Sequence, residues 1–397
     1  MPRSPERRGM PTLLVAVLPL ALVAGLLLTL KVFDPTRIFQ AAFPPIEELT
    51  IQRLVLRPNQ IVAHVVNGGP EPVTVAQVQV DDAYWDHAMT PGRTIPRLGR
   101  ATVTIPYPWV EGETHRVKLI SSNGLGFEKE IPVAVASPEP SLAFVLLFAL
   151  LGVYVGVIPV ALGLIWFPAL KRVPEGWMDF FLFLTLGLLV FLGVDALHEA
   201  LDLVADIPGA FQGVGLMALG LIGSFGLLTA TGHRLASGTG AGTGASPMVL
   251  ATMVAIGIGL HNLSEGLAIG AAYTLGNVAL GSMLVIGFTL HNTTEGLAIV
   301  APVARSAVRL RDLIVLGAIG GVPTIFGAWL GGFTYSAMLA LLFLSIGAGA
   351  IFQVVWQIAM QMASRRESAV SLVTLPNMAG LIVGFLIMYA TGLLVAV

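Results

Sequence analysis

Long apolar runs are the feature that most constrains this chain of 397 residues. A helix needs about 20 mainly apolar residues to cross the ~30 Å hydrocarbon core of a bilayer. Nine runs reach or approach that length, and only 11% of the residues are charged, against about 25% in soluble domains. The sequence therefore predicts a mainly α-helical, polytopic membrane protein and excludes an ordinary water-soluble enzyme.

The first apolar run, from Thr12 to about Leu30, follows a start that carries three arginines. The run is longer than the roughly 7–15-residue apolar region of a signal peptide, and no small-residue cleavage site follows it. We therefore predict an uncleaved transmembrane anchor helix within a first segment, 1–33.

The composition changes in the next segment, 34–140. Short alternating stretches separated by Gly, Pro and Asn predict a small all-β sandwich domain of the immunoglobulin or cupredoxin type. Its histidines, His64, His87 and His115, have no metal-ligand spacing and are interpreted as surface or packing residues. The predicted strands are Ile51–Leu56, Ile61–Val66, Val73–Val80, Ala101–Ile105, His115–Ile120 and Phe127–Val135.

Eight further apolar runs make up the segment 141–397. The Gly-, Ser- and Thr-rich stretch Ala236–Ser246, between the third and fourth of them, is predicted to be a linker. The eight runs are predicted as helices at about 141–169, 178–199, 210–231, 248–273, 277–302, 312–333, 336–361 and 373–396.

Basic residues are found in alternate loops, and short cytoplasmic loops collect Lys and Arg. The loops near Ile207, Gly276 and Thr334 carry neither residue type. The pattern predicts an inner or plasma membrane protein with a cytoplasmic N-terminus and with the β domain and the C-terminus on the extracytoplasmic side. The cytoplasmic basic residues are Arg3, Arg7, Arg8, Lys171, Arg172, Arg234, Arg305, Arg309, Arg311, Arg365 and Arg366.

The fourth and fifth of the eight runs each contain the phrase His-Asn-x-x-Glu-Gly near the centre. A carboxylate inside a membrane is costly, so two of them indicate function. On a helix, His and Glu at i and i+4 share one face, and Asn at i+1 flanks it. The turn near Gly276 lies midway between the phrases, so an antiparallel hairpin brings both to one depth. The predicted metal ligands are His261, Asn262, Glu265, His291, Asn292 and Glu295.

Six oxygen and nitrogen donors suit a divalent cation, which neutralises carboxylates and takes neutral imidazoles as ligands. The donors exceed one tetrahedral shell, so two adjacent ions or one ion passed between ligands fits the pattern. Interhelical hydrogen bonding is the purely structural alternative. Because the chain has no Cys, thiolate sites and disulfides are excluded, and a net charge of −2 gives no sign of nucleic-acid binding.

Two further polar groups interrupt the apolar runs. Asp195, His198 and Glu199 begin an acidic stripe at the end of the second run, where we predict an entrance for cations. Gln353 and Gln357 lie one helical turn apart in the seventh run. They form either an exit path for the ion or a polar packing contact.

The paired His-Asn-x-x-Glu-Gly phrases within eight apolar runs resemble the ZIP (Zrt/Irt-like) divalent metal transporters, especially their bacterial GufA-like branch. The resemblance covers about 141–397 and excludes the anchor and the β domain. It implies an eight-helix bundle, commonly a homodimer, that imports Zn²⁺ or a related ion such as Fe²⁺, Mn²⁺ or Cd²⁺ into the cytoplasm. It also implies elevator-like alternating access, in which one group of helices slides against another.

By similarity, the six predicted ligands match the family's transport-site positions, and Glu199 matches an acidic residue near the end of the second helix. The chain departs from the family pattern at four positions. Ser264 and Thr294 stand where Pro usually precedes the Glu. Thr324 aligns with a frequent Glu of the sixth helix, and Gln357 stands where an acidic residue is frequent.

The repeated ligand set favours a transporter over an enzyme. His-Glu-x-x-His is absent from the sequence, so the pattern of a zinc protease is missing. Two other functions stay open at this point. One is an intramembrane zinc-dependent hydrolase with a Glu as general base, and the other is a metal-binding receptor that does not translocate its ion.

Overall fold

A computed structural model describes residues 12–32, 46–238, 246–364 and 372–393. The N-terminal helix belongs to a unit that ends at Ile46, and the chain from Glu47 onward forms a second, larger unit. Most of the predicted linker, 239–245, lies outside the described residues. So do five of the basic residues used for the topology, Arg3, Arg7, Arg8, Arg365 and Arg366.

The N-terminal helix runs from Thr12 to Val32 and contains 21 residues. At about 1.5 Å per residue it is roughly 32 Å long, close to the thickness of the hydrocarbon core. The side chains of Leu22, Leu26 and Leu28 are exposed. The helix therefore covers the apolar run in which the anchor was predicted.

Nine short strands in the described part of the chain before residue 140 form two antiparallel sheets that share one apolar core. One sheet has the strand order β1-β2-β7-β5 and the other β4-β3-β8-β9, with β6 paired to β3. The strands are β1 (Leu49–Arg57), β2 (Gln60–Asn67), β3 (Val73–Val80), β4 (Ala83–Trp85), β5 (Ala88–Thr90), β6 (Thr94–Ile95), β7 (Arg100–Ile105), β8 (His115–Ser121) and β9 (Gly126–Ile131).

Each of the six predicted strands overlaps an observed strand, and β3 matches its prediction residue for residue. Strands β4, β5 and β6 were not predicted because they have only two or three residues and show no apolar alternation. The last strand ends at Ile131, before the predicted end at Val135. Pro132 follows it, and proline has no N–H with which to continue the ladder.

Among the described residues, eight helical segments are long and apolar enough to cross a membrane, and they mark a multi-pass membrane protein. Each overlaps one predicted run. The second continues to Ala205, so Glu199, the predicted end, lies inside a helix. The segments, here called spans one to eight, are Leu142–Leu170, Trp177–Ala205, Gly209–Leu235, Pro247–Thr274, Val278–Val303, Leu310–Thr334, Ala337–Ser364 and Leu375–Gly392.

Polar caps begin several spans by binding backbone N–H groups that lack a partner within the helix. The hydroxyls of Ser141 and Ser246 cap spans one and four, and the Asn277 side chain caps span five. Gly276 forms the turn between spans four and five with φ of +78°, a conformation that glycine adopts readily. This tight turn produces the antiparallel hairpin that was predicted for the two phrases.

Spans one and six contain irregular turns. In span one, the helix Leu142–Gly152 passes through one π-helical turn, Val153–Val157, and continues as Ile158–Leu164. Span six breaks at Val322, because Pro323 begins the next helix without a backbone N–H. Such turns leave carbonyl oxygens available to side chains.

The eight spans pack in two groups of four. Spans one, four, five and six form one group, and spans two, three, seven and eight form the other. Glycines allow close backbone approach inside each group, since a Cβ at Gly331 would lie 2.0 Å from the carbonyl oxygen of Leu267 in span four. Between the groups, span seven packs on span four, where a Cβ at Gly347 would lie 3.1 Å from the Cα of His261.

The β domain contacts three places at one end of the spans. Arg53 Nη1 donates to the carbonyl oxygen of Phe333, 3.0 Å away, in the last turn of span six. The backbone N–H of Gly209, the first residue of span three, donates to Oε1 of Glu48 at 3.1 Å. Gly276, between spans four and five, lies against the chain that leads from β9 to span one. The β domain therefore touches both groups of spans.

Candidate metal centre

The two repeated phrases meet between spans four and five. One ligand atom from each of His261, Glu265, His291 and Glu295 lies within 4.8 Å of the other three. All four residues are buried, and at most 6% of any one is exposed. Small side-chain adjustments would let one metal ion contact all four at the usual distance of roughly 2.0–2.2 Å.

Glu265 is the most fully hydrogen-bonded member of this centre. Its Oε1 accepts hydrogen bonds from Nε2 of His261, 3.2 Å away, and from Nε2 of His291. Its Oε2 accepts a bond of 2.9 Å from the amide nitrogen of Asn292. The i, i+4 spacing brings His261 to Glu265 within one helix, and the hairpin brings the other two from the next span.

Glu295 lies in the same centre without such support. Among the described residues, neither of its carboxylate oxygens has a hydrogen-bond partner, although both are buried, and the same holds for Nδ1 of His261. Buried polar atoms are almost always paired, and an unpaired buried carboxylate is among the costliest groups in a protein. The centre therefore calls for a bound cation or a proton at Glu295.

The irregular turns of spans one and six orient the two asparagines. The amide nitrogen of Asn262 donates to the carbonyl oxygen of Gly320, 3.0 Å away, just before the break in span six. That of Asn292 donates at 2.9 Å to the carbonyl oxygen of Val155, in the π-helical turn. Both amide oxygens are buried and unpaired within the described chain. Each asparagine thus has its nitrogen engaged and its oxygen free to bind an ion.

The residues that precede the two glutamates are bonded to the backbone. The hydroxyls of Ser264 and Thr294 donate to the carbonyl oxygens of His261 and His291, both at 2.6 Å. They are therefore engaged one turn back along their own helices rather than free as ligands. Thr324 is fully buried in span six, where its hydroxyl lies against Gly156 of span one.

A cavity of about 390 Å³, here called the vestibule, lies between the β domain and the spans. Glu199 of span two and Ser264 of span four line it beside the metal centre, and Lys129 and Glu130 of β9 line it from the β domain. The Glu199 carboxyl interacts electrostatically with both His261 and Glu265. Glu199 is thus placed between the vestibule and the centre.

The other two predicted entrance residues have different surroundings. Asp195 interacts electrostatically with Glu199 one turn away. His198 is exposed, and its Nδ1 lies 3.4 Å from Oδ2 of Asp202. Neither Asp195 nor His198 lines the vestibule, so Glu199 alone of the three faces it.

The vestibule also contains a cationic group that the sequence pattern did not reveal. Lys129 Nζ donates to the backbone carbonyl oxygens of Ile51 and Gln52, at 3.1 and 3.0 Å. Burial lowers the pKa of this ammonium group, and the Asp206 carboxylate opposes that effect. Tyr335 lines the same cavity, and burial together with Asp206 raises the pKa of its phenol. Lys129 lies in a strand with the usual alternation of exposed and less exposed residues, so no sequence motif predicts its place in the cavity.

Gln353 and Gln357 form a pair on span seven. The amide nitrogen of Gln353 donates to Oε1 of Gln357 at 3.2 Å, and Gln353 is buried. Gln353 lies about 9 Å along the helix from Gly347, the residue at the depth of His261, on the side away from the β domain. Gln357 packs near Gly232 of span three. The pair thus extends from the depth of the centre toward the far end of the spans.

The β-domain histidines have packing surroundings. His115 is buried, and its Nδ1 lies 2.8 Å from Oδ2 of Asp81, which also accepts a 2.8 Å bond from the hydroxyl of Tyr107. Burial raises the pKa of the Asp81 carboxyl, but hydrogen bonds from the backbone N–H of Arg116, from His115 and from Tyr107 outweigh it and lower the pKa. His64 is half-buried beside Thr102.

Fold and site together define a multi-pass helical membrane protein with a buried centre of His, Glu and Asn that is able to hold a metal ion. In comparisons with known proteins, no protein-family model matches the chain, and no curated protein sequence matches it significantly. Its function is therefore argued from the centre and its surroundings.

Proposed function

We propose that the protein is a divalent metal cation transporter of the ZIP type that imports Zn²⁺ into the cytoplasm. The observation that carries this proposal is the buried centre, where four ligand atoms from two antiparallel spans lie within 4.8 Å of one another. Ionisable groups at this depth are costly, and they mark ion pathways in membrane proteins. The vestibule, lined by Glu199 and by Ser264, the residue before the ligand Glu265, supplies an approach toward the centre.

The chemistry of the centre suits a transported ion. Glu265 and Glu295 neutralise the charge of a divalent cation, His261 and His291 supply imidazole nitrogens, and the two asparagine oxygens act as auxiliary ligands. A site of nitrogen and oxygen donors without Cys also accepts Fe²⁺, Mn²⁺ and Cd²⁺ to some degree, because selectivity among divalent metals depends on geometry, ligand type and metal availability rather than on affinity alone.

The packing of the spans supports alternating access. The ligands lie on spans four and five of one group, whereas Glu199 and Gln353 lie on spans two and seven of the other. Sliding of the first group along the second would move the ion from Glu199 toward Gln353. In such an elevator-like movement the first group slides as a unit, so the ligands keep their arrangement around the ion.

The proposed direction of transport follows from the basic loops. Lys171 ends span one, and Arg305 and Arg309 lie between spans five and six, all at the end opposite the β domain. Short loops rich in Lys and Arg face the cytoplasm. We infer that the β domain and the vestibule face outward and that the ion enters the cell.

The test is uptake of radioactive Zn²⁺ by proteoliposomes that contain the purified full-length protein. We expect accumulation with the wild type and a loss of at least about tenfold with His291→Ala, which removes a ligand, or Glu265→Gln, which removes a ligand's negative charge. His87→Ala and Glu113→Gln, in the β domain, serve as matched controls and should retain uptake. Wild-type uptake in both ligand variants, at equal amounts of folded protein, would contradict the proposal.

The same preparation separates transport from the other two functions. A receptor or a hydrolase would bind Zn²⁺ saturably in detergent but would not concentrate it inside sealed vesicles. Binding without accumulation in a vesicle that holds a proton and a zinc gradient would therefore exclude a transporter.

A further inference from the structure

A second cavity lies between the β domain and the ends of the spans, and it shares only Tyr335 with the vestibule. Its volume is about 750 Å³, and we call it the basic cavity. Arg53, His64 and Arg100 line it from the β domain. Leu339 and Leu342 of span seven line it from the helical side.

The positive charge of the basic cavity is not compensated by protein groups. Its lining contains neither Asp nor Glu. Among the described residues, ion pairs are formed by other basic groups and not by Arg53 or Arg100. Arg53 is half-buried, and its Nε is buried without a hydrogen-bond partner in the described chain. A guanidinium in this position is stabilised by an anion.

The titration behaviour of the neighbouring groups agrees with this charge distribution. Burial lowers the pKa of the Arg53 guanidinium. Burial, followed by the charges of Arg53 and Arg57, lowers the pKa of the His64 imidazole. The Arg53 shift reflects burial alone, whereas the His64 shift includes the neighbouring positive charges of the cavity.

The helical side of the basic cavity is largely apolar and lies at the end of a candidate membrane span. Span seven begins at Ala337, so Leu339 and Leu342 lie roughly 3 to 8 Å inside the helix end. Leu339 is exposed, and Leu216 of span three continues the apolar wall. A ligand that fills this cavity must therefore carry both an anionic group and an apolar chain.

We propose that the basic cavity binds the phosphate group of an anionic membrane phospholipid. The guanidinium groups of Arg53 and Arg100 contact the phosphate, because their planar fork matches its oxygens. The upper part of an acyl chain lies along Leu339 and Leu342. Since Arg53 also binds the carbonyl oxygen of Phe333, the lipid would hold the β domain against spans six and seven. This inference does not depend on metal transport.

The test is native mass spectrometry of the purified full-length protein, released from detergent that contains equal amounts of phosphatidylglycerol and phosphatidylcholine. We expect the wild type to retain phosphatidylglycerol about tenfold better than phosphatidylcholine. The double variant Arg53→Gln/Arg100→Gln should lose this preference. The matched control is Arg93→Gln/Arg97→Gln, which removes the same charge from exposed residues outside the cavity and should keep it.

Two further measurements cover two cases: a double variant that does not fold, and free phosphate as the ligand of the cavity. If the double variant does not fold, Arg100→Gln alone serves instead, because Arg100 is exposed, and it should lower the preference severalfold. Millimolar inorganic phosphate tests the other source of the same chemistry. Failure of phosphate to displace the lipid supports the phospholipid. Displacement by phosphate, or a preference for phosphatidylglycerol that survives loss of both arginines, overturns the proposal.

Discussion

Glu265 and Glu295 occupy the same place in the same repeated phrase, yet they meet different surroundings. Glu265 accepts hydrogen bonds from both histidines and from Asn292, whereas Glu295 lacks a partner among the described residues. The sequence predicted two equivalent carboxylates from their spacing. The asymmetry depends on which neighbour each carboxylate faces across the hairpin, and spacing along one helix does not contain that information.

We expect the two glutamates to respond oppositely to neutral replacement. Glu295→Gln removes an unpaired buried charge and should raise the melting temperature of the metal-free protein by about 2–4 °C. Glu265→Gln puts an amide donor against the Asn292 donor and removes the charge from the bonds to both histidines, so it should lower the melting temperature by a similar amount. Both variants should lose the stabilisation that Zn²⁺ gives the wild type. Thermal unfolding of the purified protein with and without Zn²⁺ measures this, and equal shifts of the metal-free variants would contradict it.

Asp81 gives a second prediction at this scale, in the β domain. Its folded pKa is lowered, so its hydrogen bonds stabilise the fold at pH 7, and this contribution is lost as the pH falls through the folded pKa. Asp81→Asn should therefore destabilise the protein at pH 7, and this effect should shrink progressively as the pH falls below the unfolded pKa of about 3.9 toward the lower folded pKa. Asp82→Asn, at an exposed neighbour, is the control. Thermal unfolding followed by tryptophan fluorescence measures both, and a pH-independent effect of Asp81→Asn would contradict this assignment.

At the scale of elements, hydropathy located all eight spans of the described chain. A run of about twenty apolar residues has the length that a helix needs to cross a membrane. The interruptions of the spans were harder to predict. Pro323 indicates the break in span six, whereas no residue of Val153–Val157 indicates a π-helical turn. That turn is stabilised partly by Asn292, which binds Val155 from another span.

The glycines of span six provide the prediction for this scale. Among them, Gly331 lies in close backbone contact with span four, within its own group of spans. Gly331→Ala would place its Cβ 2.0 Å from the carbonyl oxygen of Leu267 and should sharply reduce the yield of folded protein. Gly226→Ala in span three has no atom within 4 Å and is the control. Equal yields, measured by size-exclusion chromatography, would show that the two spans can separate at little cost.

At the scale of the whole molecule, the β domain bridges the two groups of spans. It is covalently continuous with span one, in the first group, and Glu48 binds the Gly209 N–H at the start of span three, in the second. Under the proposed elevator movement, this contact must break or shift in each cycle. The β domain would then influence the rate of transport without touching the ion.

Cross-linking tests this relation between the two groups. The chain contains no Cys, so Glu48→Cys/Gly209→Cys introduces the only two thiols. A short, reducible bifunctional thiol reagent should stop Zn²⁺ uptake, and reduction should restore it. Each single-Cys variant treated in the same way is a control. Full cross-linking with unchanged uptake would show that the groups do not move apart at this end.

The sequence alone determined the mainly helical, multi-span character of the chain, the approximate spans, most of the strands and the two phrases whose His and Glu side chains lie together. These follow from local rules: hydrocarbon thickness, strand alternation and the 3.6-residue helical period. Only the tertiary structure decided which residues surround that centre. The unpaired Glu295, the orientation of Asn262, Lys129 in the vestibule and the uncompensated Arg53 all arise from contacts between segments far apart in the chain. Such contacts depend on how whole spans and the β domain pack, which no local pattern records.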